Sequence, residues 1–437
     1  MSVRTAPLPA APVAALPRLM ASARLDGDAT PLSEHLQRHG ALPLRQRRQA
    51  SRELIELVER SGLTGRGGAG FPTGRKLRAV AGARRRPVVL ANGVEGEPIS
   101  GKDQVLLGHV PHLVLDGAAV AAAAVGADEV TIAVGAGADA AFAAVQLAIS
   151  ERARLRLDRV SFRVVGVPER FVAGEETALV NWLNGGSPKP TFTPPRPFER
   201  GLAGRPTLVQ NVETLAHLAL IARFGPDWFR GVGTQAEPGS ALVTLGGAFR
   251  RPGIYEIPLG LPLVELLARA GGAGAPLQAF LIGGYFGAWV TAAQADSLTL
   301  ADADLSAAGA ALGARAIFAL PAGSCGIVET ARVARYLAGE SARQCGPCLH
   351  GLDAIATALE QLAAGERGRH GTPDPRLRRW LAQVAGRGAC RHPDGAVRLV
   401  ESALRVFTAE ADLHAGGSCS ASCPPLLPVA ETRAAQV

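Results

Sequence analysis

A run of closely spaced glycines constrains what this chain can fold into more than any other feature of its sequence. Within residues 62–76, glycine stands at positions 62, 65, 67, 68, 70 and 74. So many glycines in one turn let a ligand approach the backbone closely, because successive N–H groups can point into one concavity. Arg66 and Lys76 add cationic donors. The segment predicts a phosphate-binding loop, with a flexible surface loop as the alternative, and it fits neither a Walker loop nor a plain dinucleotide fingerprint.

Three further segments accompany the loop, and the first of them carries polar side chains where α/β proteins bind ligands. Residues 92–103 follow the apolar run 87–91, at the expected carboxyl end of a buried strand. Residues 174–179 and 204–216 come later in the chain. These segments contain Asn92, Glu95, Glu97, Gly174, Glu175, Glu176, Asn211 and Thr214. The alternatives are solvated loop carboxylates at 95 and 97, and the acidic first turn of a helix at 175 and 176.

These four motifs, in this order over roughly residues 45–410, resemble the flavin-bearing subunit of respiratory complex I and its relatives in NAD-linked hydrogenases and formate dehydrogenases. The resemblance implies hydride oxidation at FMN, with NADH as a possible substrate, followed by one-electron delivery to iron–sulfur. It implies Glu95 and Glu97 as catalytic residues. The cofactor-binding residues that it implies are Gly65, Arg66, Gly67, Gly68, Phe71, Lys76, Asn92, Glu95, Gly174, Glu175, Glu176, Asn211 and Thr214.

The nicotinamide side of the site departs from the family pattern. Phe71 keeps one aromatic ring, but Ala79 stands at the position of a second ring, and the family's Lys-Pro-Pro-Phe run is Thr193–Arg196. On the flavin side, Val94 replaces an Asp and Gln210 an Asn. Flavin retention is therefore better supported than NADH oxidation.

The apolar and alanine-rich patterns, together with the resemblance, predict three domains between two terminal segments. Apolar strands at 88–91, 130–134 and 162–165 alternate with helical stretches, which is typical of an α/β sheet with crossover helices. The expected order is an N-terminal extension, partly disordered, at 1–45; an α/β FMN- and NADH-binding domain at 46–225; a soluble-ligand-binding β-grasp domain at 226–312; a helical iron–sulfur bundle at 313–410; and a cysteine-containing tail at 411–437.

The cysteines carry the second expected cofactor. Cys345 and Cys348 form a CxxC pair, and Cys390 follows at a distance. Thiolates at CxxC spacing bind one soft metal centre. The resemblance implies a [4Fe–4S] cluster with four cysteine ligands, but Ala342 stands at the position of the first.

The fourth ligand is expected from the tail, with Cys419 as the prediction and Cys423 as its substitute. The alternatives are a three-ligated cluster with His350, His392 or water at the open iron, a structural zinc site, or no metal. Cys325 is assigned no redox role.

Composition narrows the partners. The net charge of +8 comes almost entirely from arginine and aromatic residues make up only 5% of the chain, with no nucleic-acid-binding motif, so an acidic protein partner is favoured over nucleic acid. No apolar run reaches the ~20 residues of a membrane span. The expected partner is a small thioredoxin-like iron–sulfur subunit or a ferredoxin, and the expected location is the cytoplasm, with peripheral attachment to a membrane redox complex as an alternative.

The competing functions are a ferredoxin-linked membrane-associated electron-transport subunit and a non-catalytic scaffold with a vacant or zinc-bound site.

Overall fold

The computed structural model describes residues 16–24, 27–43, 49–365, 375–419 and 421–429. The N-terminal extension is expected to be partly disordered, and its residues 1–15, 25–26 and 44–45 lie outside the described residues. Three groups of elements follow one another along the described chain, as predicted: an α/β group, a second sheet and a helical group.

The first group contains a four-stranded parallel sheet covered by helices. Its elements are α1 (Leu32–His39), α2 (Gln49–Ser61), α3 (Thr73–Ala81), β1 (Val88–Gly93), α4 (Lys102–His109), α5 (Pro111–Val125), β2 (Glu129–Gly135), α6 (Asp139–Arg154), β3 (Ser161–Val167), α7 (Glu176–Leu183), β4 (Thr207–Asn211) and α8 (Val212–Arg230). The strand order is β3-β2-β1-β4, and every pairing is parallel. This confirms the predicted α/β sheet with crossover helices.

Burial explains the composition of the central elements. The apolar residues of β1 at 88–91 are buried because helices cover both faces of the sheet. Helix α5 is buried almost all round, and its side chains are therefore apolar apart from His112 and Asp116. Among the described residues, no single helix is long and apolar enough to cross a membrane; α4 and α5 pass that test only as a pair, bent by 97°.

Strand register determines which side chains meet at the carboxyl edge of the sheet. Asn92 near the end of β1 pairs with Asn211 at the end of β4 and with Ala133 of β2. The carboxyl edge of a parallel sheet is where open α/β folds bind ligands. The two asparagines therefore stand side by side at the expected site.

The second group forms a five-stranded mixed sheet in the order β6-β5-β9-β7-β8. Its elements are β5 (Ser240–Gly247), β6 (Gly253–Pro258), α9 (Leu263–Arg269), β7 (Leu277–Ile282), β8 (Ala288–Thr291), α10 (Ala292–Ala295), α11 (Asp302–Ala307) and β9 (Ala316–Pro321). Strand β9 lies between β5, which is parallel to it, and β7, which is antiparallel. The mixed sheet thus extends past the boundary expected at residue 312, because its central strand is the last one in sequence.

The third group is a helical bundle packed against one face of the mixed sheet. Its helices are α12 (Gly326–Gly339), α13 (Leu352–Ala363), α14 (Pro375–Val384), α15 (His392–Val406) and α16 (Thr408–Ala415). Trp289 of β8 contacts Phe407, with ring centroids 5.2 Å apart, and its indole N–H donates to Thr330 at 3.0 Å. Helix α16 crosses the boundary expected at residue 410, so the predicted tail begins as helix.

A buried carboxylate ties the N-terminal extension to the first group. Asp116 of α5 lies 2.6 Å from His35 of α1 and 2.8 Å from Arg152 of α6, and it accepts a bond from Arg223 of α8. Burial opposes ionisation, but the hydrogen bond with His35 and the charges of Arg223 and Arg152 outweigh it and hold the pKa of Asp116 below its usual range. Four helices thus depend on one ionised side chain.

We expect Asp116→Asn to lower the free energy of unfolding by about 3–5 kcal/mol, because buried Arg223 loses its counter-charge and buried Arg152 keeps only Asp158. Urea unfolding at pH 7 measures this. The control is Glu56→Gln, which breaks the exposed 3.0 Å pair with Arg52 and should cost at most ~0.5 kcal/mol. The deficit should shrink as the pH falls below the ordinary Asp value of 3.8, because the stability from a depressed carboxyl pKa is lost there. Equal shifts in the two variants would contradict the prediction.

Candidate functional site

The glycine loop, residues 62–72, joins α2 to α3 as a closed turn. Its ends are held by two backbone hydrogen bonds, from Thr73 N–H to Leu63 O and from Gly65 N–H to Phe71 O, each 2.9 Å long. The loop is therefore an ordered structure, as the predicted phosphate-binding function requires.

The loop rests against the start of α8. The N–H of Arg66 donates to the Thr214 hydroxyl at 2.8 Å. A Cβ on Gly67 would lie 3.1 Å from the Cβ of Asn211, and Gly68 has a φ of +110°, which side chains disfavour. Glycine at 67 thus allows the loop to approach the end of β4, and glycine at 68 allows the backbone to take its positive φ.

Arg315, which the sequence analysis did not single out, holds the loop from the mixed-sheet side. Its buried guanidinium donates to the carbonyl of Arg66 and, at 3.5 Å, to that of Gly65. In a planar trans peptide the N–H points opposite to the C=O. The N–H of Gly67 therefore points away from Arg315, and no described residue accepts a hydrogen bond from it. This amide is free to bind an anion.

The side chain of Arg66 does not take the role expected of it. Its guanidinium is buried and donates to the carbonyls of Ser240 and Pro238 at 3.2 and 3.3 Å, and to the Thr64 hydroxyl at 2.8 Å. This corrects the prediction that Arg66 supplies a cationic donor to the concavity. The Arg66 side chain is long enough to reach the mixed sheet, where its guanidinium provides hydrogen-bond donors to these buried carbonyls.

The asparagines at the strand ends connect the surrounding loops. Asn92 donates to the carbonyl of Gly174 at 2.8 Å. Asn211 caps α8 by accepting from the N–H of Glu213 at 3.0 Å and donates to Asp103 at 2.7 Å. Both asparagines therefore hold together the loops around the carboxyl edge of the sheet, and the region between these loops and the glycine loop is called the cleft below.

A buried charge network lies beneath the cleft. Lys102 is 2.7 Å from Asp103 and 2.9 Å from Glu213, and all three side chains are buried. Although burial opposes the charge, the two carboxylates raise the pKa of Lys102. Lys102 is thus held inside the protein by its two carboxylate partners.

The two acidic residues at the start of α7 have different roles. Glu175 caps the helix, because one of its oxygens accepts from the N–H groups of Thr177 and Ala178, both at 2.9 Å. This is the acidic helix start that the sequence left as the alternative. Glu176 instead reaches across to Lys76 of α3, at 3.0 Å, and both side chains are partly exposed. The Lys76–Glu176 pair joins the glycine-loop side to the α7 side.

Glu95 and Glu97, the predicted catalytic residues, are both held by hydrogen bonds. Glu95 accepts from the Ser100 hydroxyl and from the N–H of Gln104 at 3.3 Å, while Glu97 accepts from the N–H of Tyr285 in the mixed sheet at 2.8 Å. Burial raises the pKa of Glu95 to about 7 and that of Glu97 to about 8. Their catalytic role stays a prediction.

Two exposed aromatic rings lie near the cleft. Phe71 in the glycine loop is 49% exposed, and Phe192 is 85% exposed. The N–H of Thr191 donates to the Thr177 hydroxyl at 3.0 Å, so Phe192 follows a residue anchored at the start of α7. Sequence comparison by motif position missed Phe192, because it precedes the proline pair instead of following it.

Three of the predicted metal ligands come together in the bundle. Burial first, and then the neighbouring Cys345 thiol, raise the pKa of Cys348 to about 12, with a further contribution from Cys390. Burial alone would raise the pKa of Cys345, but hydrogen bonds from the backbone at Ala389 and from Cys348 outweigh burial and lower this pKa. Ala342 is also buried and offers only a methyl group. The thiols of 345, 348 and 390 therefore lie close enough to influence one another, and their role as cluster ligands stays a prediction.

The expected fourth ligand is not supplied by the tail. The Cys419 thiol lies beside Cys325 and His414 at the start of α12, and Cys423 packs beside Gly323 at the same end. Cys345 follows the other end of that helix, whose 14 residues span about 20 Å. This corrects the prediction of Cys419 as a cluster ligand: the tail is long enough, but it folds onto the opposite end of α12.

The histidines considered as substitutes are also located. His392 is buried and its Nε2 lies 2.7 Å from the carbonyl of Leu337, while its Nδ1 has no hydrogen-bond partner among the described residues. His350 is exposed. In the described structure neither imidazole is paired with a thiol of the three-cysteine group, although the backbone of His392 makes a hydrogen bond to the Cys390 thiol.

Known protein families match this chain in the same order as its three groups of elements. Residues 58–220 match the Nuo51 FMN-binding domain, residues 242–281 the SLBB domain, and residues 329–414 the NADH-ubiquinone oxidoreductase-F iron-sulfur binding region. The chain is 34% identical to the second F-type subunit of NADH-quinone oxidoreductase in Rhizobium meliloti, over 83% of this chain and 88% of that protein. It is also 34% identical to the F-type subunit of the same enzyme in Mycobacterium tuberculosis, over 84% and 86%.

The fold is similar to solved structures as well. An NAD⁺-reducing [NiFe]-hydrogenase in the H₂-reduced state matches with a TM-score of 0.74 and 29% identity, covering 86% of this chain and 63% of that one. The air-oxidised form matches with a TM-score of 0.77 and 27% identity, covering 92% and 69%.

We expect Gly67→Ala to weaken FMN binding about tenfold, or ~1.4 kcal/mol, because the new Cβ would push the loop away from Asn211. Quenching of flavin fluorescence on titration of the apoprotein measures the affinity. Gly108→Ala in α4 is the matched control, since a Cβ there meets nothing within 4 Å. Equal affinities in the two variants would show that the loop does not hold the flavin.

Proposed function

Because this chain belongs to the family of F-type subunits of NADH-quinone oxidoreductase, we propose that it oxidises NADH at a bound FMN and passes electrons to an iron–sulfur cluster held by Cys345, Cys348 and Cys390. FMN, when bound, accepts a hydride and can release its electrons one at a time. The residues of the chain bind and orient the two groups. A non-catalytic scaffold is the second candidate, favoured by the missing ligand at Ala342.

The observation that carries the proposal is that segment 171–176 touches both sites. Glu176 pairs with Lys76 in the cleft. Phe171 packs edge-on against His392, with ring centroids 5.6 Å apart, and its N–H donates to Glu340 at 2.9 Å. His392 and Glu340 stand two residues from Cys390 and Ala342. The cleft and the thiol group are therefore joined through one short segment.

The residues present fit a flavin phosphate. The free amide of Gly67 and the ammonium group of Lys76 offer an anion one backbone and one charged donor. A side chain at position 67 would crowd Asn211, so the cradle requires glycine. Glu95 and Glu175 would lie towards the isoalloxazine ring, with Glu95 kept partly protonated near neutral pH by burial.

Nicotinamide binding would rest on Phe71 and Phe192. Ala79 on α3 is exposed and provides no ring. Phe192 is the more exposed of the two rings, and it replaces the lost stacking face from the α7 side. Aromatic stacking on a base is worth about 1–3 kcal/mol. NADH recognition therefore depends on a ring that the family pattern does not predict.

We also propose that the mixed sheet is a β-grasp domain. Its strand order, with α9 crossing between the hairpins β5–β6 and β7–β8 and β9 inserted between β5 and β7, supports this description. The domain would then run from about residue 226 to 321, after an FMN domain at 46–225 and before the bundle.

The partner proposed is another redox subunit: a small thioredoxin-like iron–sulfur protein or a ferredoxin. The relatives are named as subunits of an NADH-quinone oxidoreductase, and the structural neighbours belong to an NAD⁺-reducing hydrogenase. The net charge of +8 favours an acidic partner. The proposed location is the cytoplasm, or the inner face of the cell membrane by attachment to a redox complex.

The test of the proposed function uses Phe192→Ala in the FMN-loaded protein. We expect the KM for NADH in ferricyanide reduction to rise about tenfold, because one stacking face worth ~1.4 kcal/mol is lost. The control is Leu155→Ala, which removes a 65% exposed side chain after α6. A wild-type protein that binds no FMN, or whose FMN is not reduced by NADH, would favour the scaffold; reduction by ferredoxin alone would favour the ferredoxin-linked alternative.

A second prediction concerns the open cluster corner. Ala342→Cys should slow the loss of iron to a chelator several-fold, because a fourth thiolate closes the exposed iron. Gln344→Cys is the control, since it adds a thiol at an exposed neighbouring position. Iron release is followed by absorbance under anaerobic conditions. Identical rates in the two variants would mean that position 342 does not face the cluster.

A further inference from the structure

Three potential metal ligands meet at the start of α12, outside the electron-transfer site. The Sγ atoms of Cys325 and Cys419 and a ring nitrogen of His414 all lie within 4.8 Å of one another. The Cys325 Sγ is 3.1 Å from the His414 Nε2. Cys325 and His414 are buried, and Cys419 is exposed at the rim. The cluster thus has a buried base and one accessible ligand.

The fold brings the three together through a tight turn after α16. His414 lies in the last turn of that helix, and the chain then reverses at Gly417, whose φ is +85° and whose N–H donates to the His414 carbonyl at 2.9 Å. The N–H of Ser418 donates to the carbonyl of Leu413 at 3.0 Å. Cys419 therefore returns to the side of His414 instead of extending into solvent.

We propose that Cys325, His414 and Cys419 bind a Zn²⁺ ion that fastens the C-terminal segment to the base of α12. Two thiolates and one imidazole are a donor set that Zn²⁺ prefers. Zn–S and Zn–N bonds of about 2.3 and 2.0 Å separate tetrahedral ligand atoms by roughly 3.5–3.8 Å, so small side-chain rotations complete the site. Water or the neighbouring Glu410 takes the fourth position.

The chemistry of binding is a proton exchange. Burial raises the pKa of Cys325 to about 12, and the carboxyl of Glu410 adds to this shift, so the metal-free thiol keeps its proton. Zn²⁺ replaces the protons of the two thiols, which leave to solvent, and no oxidant is needed. Glu410 is held in place by the N–H of Gly326 at 2.8 Å.

The site would anchor a segment that reaches towards the cleft. After Cys419, the N–H groups of Ser422 and Cys423 donate to the carbonyl of Gly323 at 2.9 and 3.0 Å. Farther on, Tyr285 donates its hydroxyl proton to the carbonyl of Pro428. The backbone N–H of the same Tyr285 holds Glu97. Zinc binding therefore secures a strap that supports one wall of the proposed flavin site.

The test compares Cys419→Ser with Cys423→Ser in the full-length protein, purified with a reductant after growth with zinc. These two exposed cysteines lie on the same strap, so neither change removes a core side chain. We expect Cys419→Ser to lose one equivalent of zinc by elemental analysis, with its iron unchanged, and Cys423→Ser to match the wild type. We also expect wild-type protein to bind Co²⁺ with thiolate charge-transfer absorption that Cys419→Ser lacks.

Equal zinc contents in the two variants would overturn the proposal, as would a Cys325–Cys419 disulfide found by non-reducing peptide mapping of zinc-free wild-type protein. Limited proteolysis gives a second readout, since a chelator should speed cleavage after residue 415 in the wild type but not in Cys419→Ser. Unchanged cleavage on chelation would contradict the strap.

Discussion

Two buried arginines that cross between the sheets are the interaction on which the site depends. Arg315 from the mixed sheet holds the carbonyls of the glycine loop, and Arg66 from the loop reaches the carbonyls of Pro238 and Ser240 at the start of the mixed sheet. Burial, followed by the charge of Arg315, lowers the pKa of Arg66 to about 9. The buried carboxylate of Glu213 offsets this repulsion. The loop is therefore shaped by both sheets, and neither alone would present the Gly67 amide.

The helical bundle is joined to the parallel sheet and the mixed sheet through the segment around Phe171. The residues before α7 pack on the bundle with Phe171, while those that begin α7 cap the helix and pair with the cleft. Phe171 also contacts Phe286 of the mixed sheet, with ring centroids 4.7 Å apart. One short segment thus contacts all three groups of elements. A shift of the bundle would therefore displace residues around the cleft, because close-packed protein interiors transmit displacement.

Much of the site follows from local sequence rules. The strand end at Asn92, the acidic helix start considered for Glu175 and the CxxC pair were all predictable, because backbone pattern and short-range spacing determine them. Those rules do not tell where a long side chain goes. Arg66 in a glycine loop indicated an anion ligand, but its reach allowed a better-satisfied position in the mixed sheet.

Contacts between residues that are far apart in sequence could not be predicted either. Chain length allowed Cys419 to reach the CxxC pair, yet the turn at Gly417 sends it to the opposite end of α12. His414, which contacts Cys325, lies 89 residues from it in sequence, and the Gly65 carbonyl that Arg315 binds lies about 250 residues from Arg315. No local pattern indicates such contacts. Phe192 escaped notice because it lies on the other side of a proline pair from the expected ring.

The central claim is that electrons from NADH reach the three-cysteine cluster through the flavin. Anaerobic titration of the FMN- and iron-loaded protein with NADH, followed by optical absorbance and electron paramagnetic resonance, tests it most directly. The account predicts that NADH bleaches the flavin and produces the reduced-cluster signal seen with dithionite. A cluster that dithionite reduces while NADH bleaches only the flavin would contradict it.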